Sequence, residues 1–189
     1  RSDFCDWYIE FAKTRLYGLD SDDRKISQIV SVHIIRNILK LLHPYCPFIT
    51  EELWETFKNT DEKLLISESW PEIEIDKINK EKEKQVELLM DVITAVRNIR
   101  ASLNISPSKA ADLSVRGESG LCNTLKINEN YLQRMAKLNK LQFGENIDKP
   151  PQSATAVVKG LEIFLPLKGL IDLSKEIERL QNKIDDMEG

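Results

Sequence analysis

Apolar side chains recur at helical spacing through the first hundred residues. The first four aromatic residues are spaced i, i+3, i+4 and i+7, which places them on one face of a helix. The same kind of spacing predicts further helices over about 25–42, from about residue 50, and over about 78–103. Thr50 is expected to cap the third of these helices, because its hydroxyl can accept from the free N–H groups of a first turn. The four aromatic residues that define the face of the first helix are Phe4, Trp7, Tyr8 and Phe11.

The pattern changes after the long fourth helix. Leu113 and Val115 alternate with polar residues, which indicates a short strand, and a helical stretch follows over about 129–138. Two β-rich runs, 154–158 and 161–167, enclose Gly160, which predicts a tight hairpin. This part of the chain therefore reads as a small α+β module.

The last apolar residues are spaced 4, 3, 4 and 3, which is a heptad pattern. They are Leu173, Ile177, Leu180, Ile184 and Met187. Two heptads are too short for a stable isolated helix. The predicted fold is mainly α: an antiparallel helix bundle over 1–106, a small α+β module over 107–168, and the start of a C-terminal coiled-coil helix over 169–189.

Composition narrows the class of protein. The chain has 189 residues, 41% of them hydrophobic and 31% charged, which is typical of a globular protein. No window approaches the roughly 18 apolar residues of a membrane span, so we expect no membrane partner. The first residue is Arg1 rather than methionine, which suggests a piece of a longer chain. Three scattered cysteines favour a reducing compartment, hence a cytoplasmic protein, and we expect a monomer.

Motifs for independent catalysis are missing from the sequence. There is no phosphate-binding or dinucleotide-binding glycine motif, no nucleophile elbow and no CxxC pair. With only two histidines, a three-histidine metal site is impossible. We therefore predict no catalytic residue, metal or cofactor within this chain.

Three stretches resemble the valyl-tRNA synthetases. They are Phe-Cys-Asp-Trp-Tyr-Ile-Glu at 4–10, Leu-His-Pro-Tyr-Cys-Pro-Phe-Ile-Thr-Glu-Glu-Leu-Trp at 42–54, and Arg-Asn-Ile-Arg-Ala at 97–101 followed by Ile-Ser-Pro-Ser-Lys at 105–109. The segment 169–180 resembles the same family more weakly. The 42–54 corner is similar in isoleucyl and leucyl enzymes, so these stay open as alternatives. The 97–101 stretch and the heptads favour the valyl family.

The resemblance implies a position within a larger enzyme. ATP and the amino acid would bind an N-terminal catalytic domain, whose signatures do not occur in this sequence. This chain would belong to the anticodon-binding region, and its partners would be valine tRNA and the rest of the synthetase chain. The implied role is to hold the anticodon stem-loop while the acceptor end reaches a distant active site.

The fourth helix carries the first candidates for RNA contact. Arg97 lies about 110° from the centre of the apolar stripe, next to Asn98, whereas Arg100 lies only about 50° from it. A guanidinium at that position needs a carboxylate, a cluster of carbonyls or a phosphate, because an unpaired buried charge is costly. The structural alternative for Arg100 is an ion pair with Glu10, Glu51 or Glu52.

Further candidates form local basic segments in a chain whose net charge is −4. Residues 96–117 carry a net charge of +3, and Ser108, Lys109 and Arg116 could reach phosphates. A continuous strip joining Arg97, Lys109 and Arg116 would favour RNA. A basic stripe on the second helix adds further candidates, with a solvated face as the alternative. Its residues are His33, Arg36, Asn37 and Lys40.

A different class of function stays open. The coiled-coil pattern and the acidic overall charge are compatible with a helical protein-interaction module. The aromatic face of the first helix could stack on unpaired bases, but its spacing is also that of a packed core.

Overall fold

The computed structural model of the chain describes residues 3–18, 21–59, 61, 63–171 and 181. Their contacts divide the chain into two compact units, 1–78 and 79–189, here called unit 1 and unit 2. The three-part division predicted at residues 106 and 168 stays a prediction.

Unit 1 is helical in the residues that the structure describes. A π-helical segment, Asp3–Tyr8, runs directly into α1 (Ile9–Leu16), and α2 (Ser21–Leu42) and α3 (Pro47–Phe57) follow. Single 3-10 turns form at Leu65–Ser67 and Ile75–Lys77. The core is small. Leu39, Trp54 and Leu65 are buried together, with Ile35 and Phe57 packed against them.

The aromatic face predicted for the first helix is confirmed. The rings of Phe4 and Tyr8 stack with centroids 5.5 Å apart, and those of Trp7 and Phe11 with centroids 6.1 Å apart. All four side chains are half-buried. One helical turn between partners brings each pair together.

The corner between α2 and α3 corrects the predicted helix start. Helix α3 begins at Pro47 rather than at Thr50, because a proline at the first helical position gives up no hydrogen bond. Thr50 is buried, and its hydroxyl donates to the Cys46 carbonyl at 2.7 Å. His43 Nδ1 lies 2.8 Å from the same hydroxyl oxygen. Thr50 thus ties the corner together from inside the helix.

Unit 2 combines helices with one four-stranded sheet. In chain order it contains α4 (Lys80–Ser102), β1 (Ala111–Arg116), α5 (Ser119–Ile127), α6 (Glu129–Ala136), β2 (Leu138–Gly144), β3 (Ser153–Val158) and β4 (Leu161–Pro166). The strand order is β2-β1-β4-β3, with β1 parallel to β2 and the other pairs antiparallel. Helices α5 and α6 make the crossover that a parallel pair requires.

The core of unit 2 forms between α4 and the sheet. The α4 residues Val92, Ile93 and Val96 are fully buried. Ile163 on β4 is also fully buried, and Leu113 on β1 is almost so. Helix α4 contacts β3, β4 and α6. The apolar stripe predicted for the fourth helix is therefore its packed face.

The prediction of a mainly α fold is confirmed for the residues that the structure describes. Helices dominate, and the predicted helices, the strand near 113–115 and the hairpin at Gly160 all form. Helix α5 and strand β2 were not predicted. The heptad residues lie outside the described residues. No helix in the described ranges has the length and apolar character to cross a membrane.

Candidate nucleic-acid interface

A groove runs along α2 on unit 1. Its volume is about 570 Å³, within the usual range of small-ligand clefts, about 300–1,000 Å³. The groove combines apolar side chains with carboxamide, imidazole and cationic side chains. Its lining is Gln28, Ile29, Val32, His33, Arg36, Asn37, Lys40 and Asn59. The predicted basic stripe therefore lines one wall of a real concavity.

The two cations of this stripe are engaged within unit 1. The Arg36 guanidinium lies 4.8 Å from the centroid of the Trp54 ring and donates to the Phe57 carbonyl at 3.4 Å. Lys40 pairs with Glu68 at 3.0 Å and also lies over the Trp54 ring. Because Glu68 balances Lys40, the groove has less net positive charge than the sequence pattern indicates.

The polar side of the groove centres on His33, whose Nε2 can either accept from Asn37 or donate to Glu74 but not both at once. His33 Nε2 lies 3.2 Å from the Asn37 amide nitrogen and 3.1 Å from a carboxylate oxygen of Glu74. A hydrogen bond from Lys77 lowers the pKa of Glu74, so this carboxylate stays ionised into acidic pH. The groove thus presents amide and imidazole groups that can both donate and accept.

Arg100 is buried, as its place near the apolar stripe predicts, but its partners are carbonyls. Its guanidinium donates to the carbonyls of Ser106, at 2.9 Å, of Lys109, and of Lys137, at 3.5 Å. Glu51, one of the predicted carboxylate partners, instead accepts from the Leu65 N–H. Arg100 therefore fastens the loop after α4, and its role in RNA contact stays a prediction.

Arg97 and Asn98 are exposed on the outer face of α4. Arg97 donates from Nε and from one terminal nitrogen to the Met135 carbonyl, at 3.3 and 3.0 Å. These contacts bind α4 to the end of α6. Ser108 and Lys109 are exposed in the loop that Arg100 fastens, and Lys109 Nζ donates to the Leu170 carbonyl at 3.0 Å.

Arg116 is separated from the other candidates. It ends β1, so about 17 Å of strand separates it from Ala111. It is paired across the antiparallel ladder with Glu162, which accepts from Arg116 Nε at 2.8 Å. Arg116 therefore lies apart from Arg97 and Lys109, and the continuous strip that would have favoured RNA is interrupted before it reaches Arg116.

Three cations that the sequence analysis missed lie on segments that are hydrogen-bonded to those of Arg97 and Lys109. They are Arg134 on α6, Lys137 at its left-handed end with φ 54°, and Lys140 on β2, all exposed. Their spacing of three residues, with no acid between them, is the signal in the sequence. We call the five residues Arg97, Lys109, Arg134, Lys137 and Lys140 the basic edge.

In the described part of the chain, no group of three or more His, Cys, Asp or Glu side chains is arranged to hold a metal ion.

Comparison of the sequence with known proteins places the chain in a family. Residues 1–115 match the model described as "Anticodon-binding domain of tRNA ligase". The chain is similar to valine–tRNA ligases of Geobacillus kaustophilus, at 39% identity over 185 residues, and of Bacillus subtilis, at 36% over 184 residues. Each alignment covers 97% of this chain and 21% of the relative, so the chain spans about a fifth of their length. The chain belongs to the family of tRNA ligase anticodon-binding domains.

Proposed function

We propose that this chain is the tRNA-binding region of a cytoplasmic valine–tRNA ligase and positions the anticodon stem-loop. The α2 groove, inside the span that the family model matches, is the observation that carries the proposal. The similar valine–tRNA ligases support valine as the amino acid. We propose further that the chain acts as a monomer within its synthetase, and that ATP binds elsewhere in that enzyme.

The chemistry of the groove suits unstacked bases. Proteins that read single-stranded RNA hydrogen-bond base edges and pack against base faces. Gln28, Asn37 and Asn59 offer donors and acceptors together, and Ile29 and Val32 offer an apolar surface. Because Lys40 is balanced by Glu68, recognition here depends on base edges more than on phosphate charge.

The test is binding of the chain to valine tRNA and to the same tRNA with its anticodon replaced. We expect the wild-type chain to prefer the valine anticodon. The double variant Gln28→Ala/Asn37→Ala should lose about tenfold of that preference, which corresponds to one good base-edge contact. Asn123→Ala, an exposed amide on α5 far along the chain, is the matched control. Equal binding of both anticodons by the wild type would refute anticodon reading.

A protein-interaction module is the second candidate, and exposed apolar residues of unit 1 favour it. Phe48, Tyr45 and Ile66 are 91%, 83% and 74% exposed, and Phe48 and Ile66 line a pocket together with the acidic residues Glu52 and Glu55. A chain that binds neither tRNA at low salt would support this candidate over RNA binding. Sedimentation of the chain alone would then show whether these residues mediate self-association.

A further inference from the structure

We propose that the basic edge of unit 2 is a second RNA-binding surface, which grips the phosphate backbone of the tRNA without reading its sequence. The inference rests on the proposed function for its ligand. It adds a surface built largely beyond residue 115, where the match to the anticodon-binding family ends.

Hydrogen bonds to backbone carbonyls bring together the segments that carry the five cations. Arg97 donates to the Met135 carbonyl, between Arg134 and Lys137 in the chain. The Lys137 carbonyl accepts from the Ala111 N–H at 3.2 Å, which places the Lys109 loop beside it. Since Ala111 pairs with Leu138 in the parallel ladder, Lys140 follows on the neighbouring strand.

The local charge is strongly positive. Residues 97–111 contain three cations and no acid, and residues 134–140 also contain three cations and no acid. The same pairing brings the acidic residue Asp112 to the edge, where it accepts from the Lys140 N–H at 3.2 Å. In a chain with a net charge of −4, this concentration of cations is local rather than a general property.

The backbone of the basic edge is held in place without a ligand. Buried Arg100 ties the carbonyls of Lys109 and Lys137, so the backbones that carry two of the exposed lysines are held by one guanidinium. Fixed cations bind a phosphate backbone with less loss of conformational entropy than cations on a free loop. The side chains of the edge are long and cationic, which suits phosphates and gives little means of distinguishing bases.

The test compares two triple variants of the 189-residue chain with the same change in charge. One is Arg134→Gln/Lys137→Gln/Lys140→Gln in the basic edge. The control is Lys126→Gln/Lys149→Gln/Lys168→Gln, at exposed positions elsewhere in unit 2. Affinity for valine tRNA is measured at several salt concentrations by fluorescence anisotropy, and thermal melting by circular dichroism verifies that each variant is folded.

Affinity falls as salt rises, so the slope of log affinity against log salt is negative. We expect the edge variant to reduce the magnitude of this slope by about 2 to 3, roughly one per lost phosphate contact. The control should change the slope by less than about 1. The edge variant should lose affinity equally for valine tRNA and for the same tRNA with its anticodon replaced, because phosphate contacts carry no sequence information. If the edge triple variant does not fold, Lys137→Gln/Lys140→Gln gives the same test with a slope change of about 2.

The outcomes separate this inference from the proposed function. If the wild-type chain prefers the valine anticodon but the edge variant and the control have equal salt slopes, the basic edge does not bind RNA, and the proposed groove is unaffected. Loss of binding in the edge variant, together with no anticodon preference in the wild type, would support the edge and overturn anticodon reading. No binding by the wild-type chain would overturn both.

Discussion

Arg100 is the residue in which sequence position and chemistry conflict most directly. Its place beside the apolar stripe of α4 requires burial, and it is 6% exposed. Burial lowers the pKa of its guanidinium, but arginine stays protonated at neutral pH. The charge is balanced by carbonyl dipoles from the loop after α4 and from the end of α6. Arg100 therefore stabilises the packing of α4 against the loop that follows it and against the end of α6.

We expect Arg100→Met to lower the free energy of unfolding by about 2–4 kcal/mol. The substitution removes charge-assisted hydrogen bonds and leaves buried carbonyls without a donor. Arg97→Met is the matched control on the same helix. Arg97 is exposed and water can replace it at the Met135 carbonyl, so we expect a loss below about 1 kcal/mol. Urea unfolding followed by circular dichroism measures both, and equal losses would contradict the fastening role.

The same residue shows what the sequence could predict about the site. Helical periodicity predicted that Arg100 would be buried and Arg97 exposed, because both follow from the angle around one helix. It could not predict the partners. The Lys109 and Lys137 carbonyls are 9 and 37 residues away and become neighbours only when β1 pairs with β2.

Among the elements, the β3–β4 hairpin has the plainest link between sequence and conformation. Lys159 and Gly160 both have positive φ, 46° and 84°, which is the conformation of the two-residue turns that match the twist of antiparallel strands. Lys159 also reaches Asp91 on α4 at 2.9 Å. The turn thus fixes the register of two strands and fastens them to the helix beneath.

We expect Gly160→Ala to destabilise the protein by about 1 kcal/mol, because an L side chain is strained at this φ although there is open space around it. Gly120→Ala on α5 is the control. No side chain crowds that position, and alanine favours a helix, so the change should be neutral or stabilising. Thermal melting of both variants tests the prediction. A Gly160→Ala protein as stable as the wild type would show that the turn adapts to the side chain.

Two elements escaped prediction because their signals are not local. Strand β2 has the sequence Leu-Asn-Lys-Leu-Gln-Phe-Gly, and only pairing with β1 identifies it as a strand. Helix α5 is nine residues long and has Gly120 in its first turn, so its helical period is weak. Because β2 was missed, Lys140 was not placed beside Lys109, and the spacing of Arg134, Lys137 and Lys140 was not connected to the Lys109 loop.

At the scale of the whole chain, burial is uneven. Among the described residues, the buried apolar side chains of unit 1 are Ala12, Leu39, Trp54 and Leu65, and the other 19 belong to unit 2. The large exposed apolar side chains of the described ranges show the reverse, since most belong to unit 1 and only Val86, Ile127 and Val157 to the described part of unit 2. Regions with few buried apolar contacts open more easily. The proposed base-reading groove therefore belongs to the less stable unit and the basic edge to the more stable one.

This difference predicts the pattern of amide hydrogen exchange. We expect amides of α4, β1 and β4 to exchange most slowly, and amides of α2 and α3 to exchange much faster, because their helices open without unfolding the sheet. Saturating valine tRNA should slow exchange in α2, since a ligand stabilises the state that binds it. Exchange measured by mass spectrometry with and without tRNA provides the test. Equal protection in both units would mean that the small number of buried apolar side chains in unit 1 does not weaken it. An α2 unaffected by bound tRNA would place the RNA away from the groove.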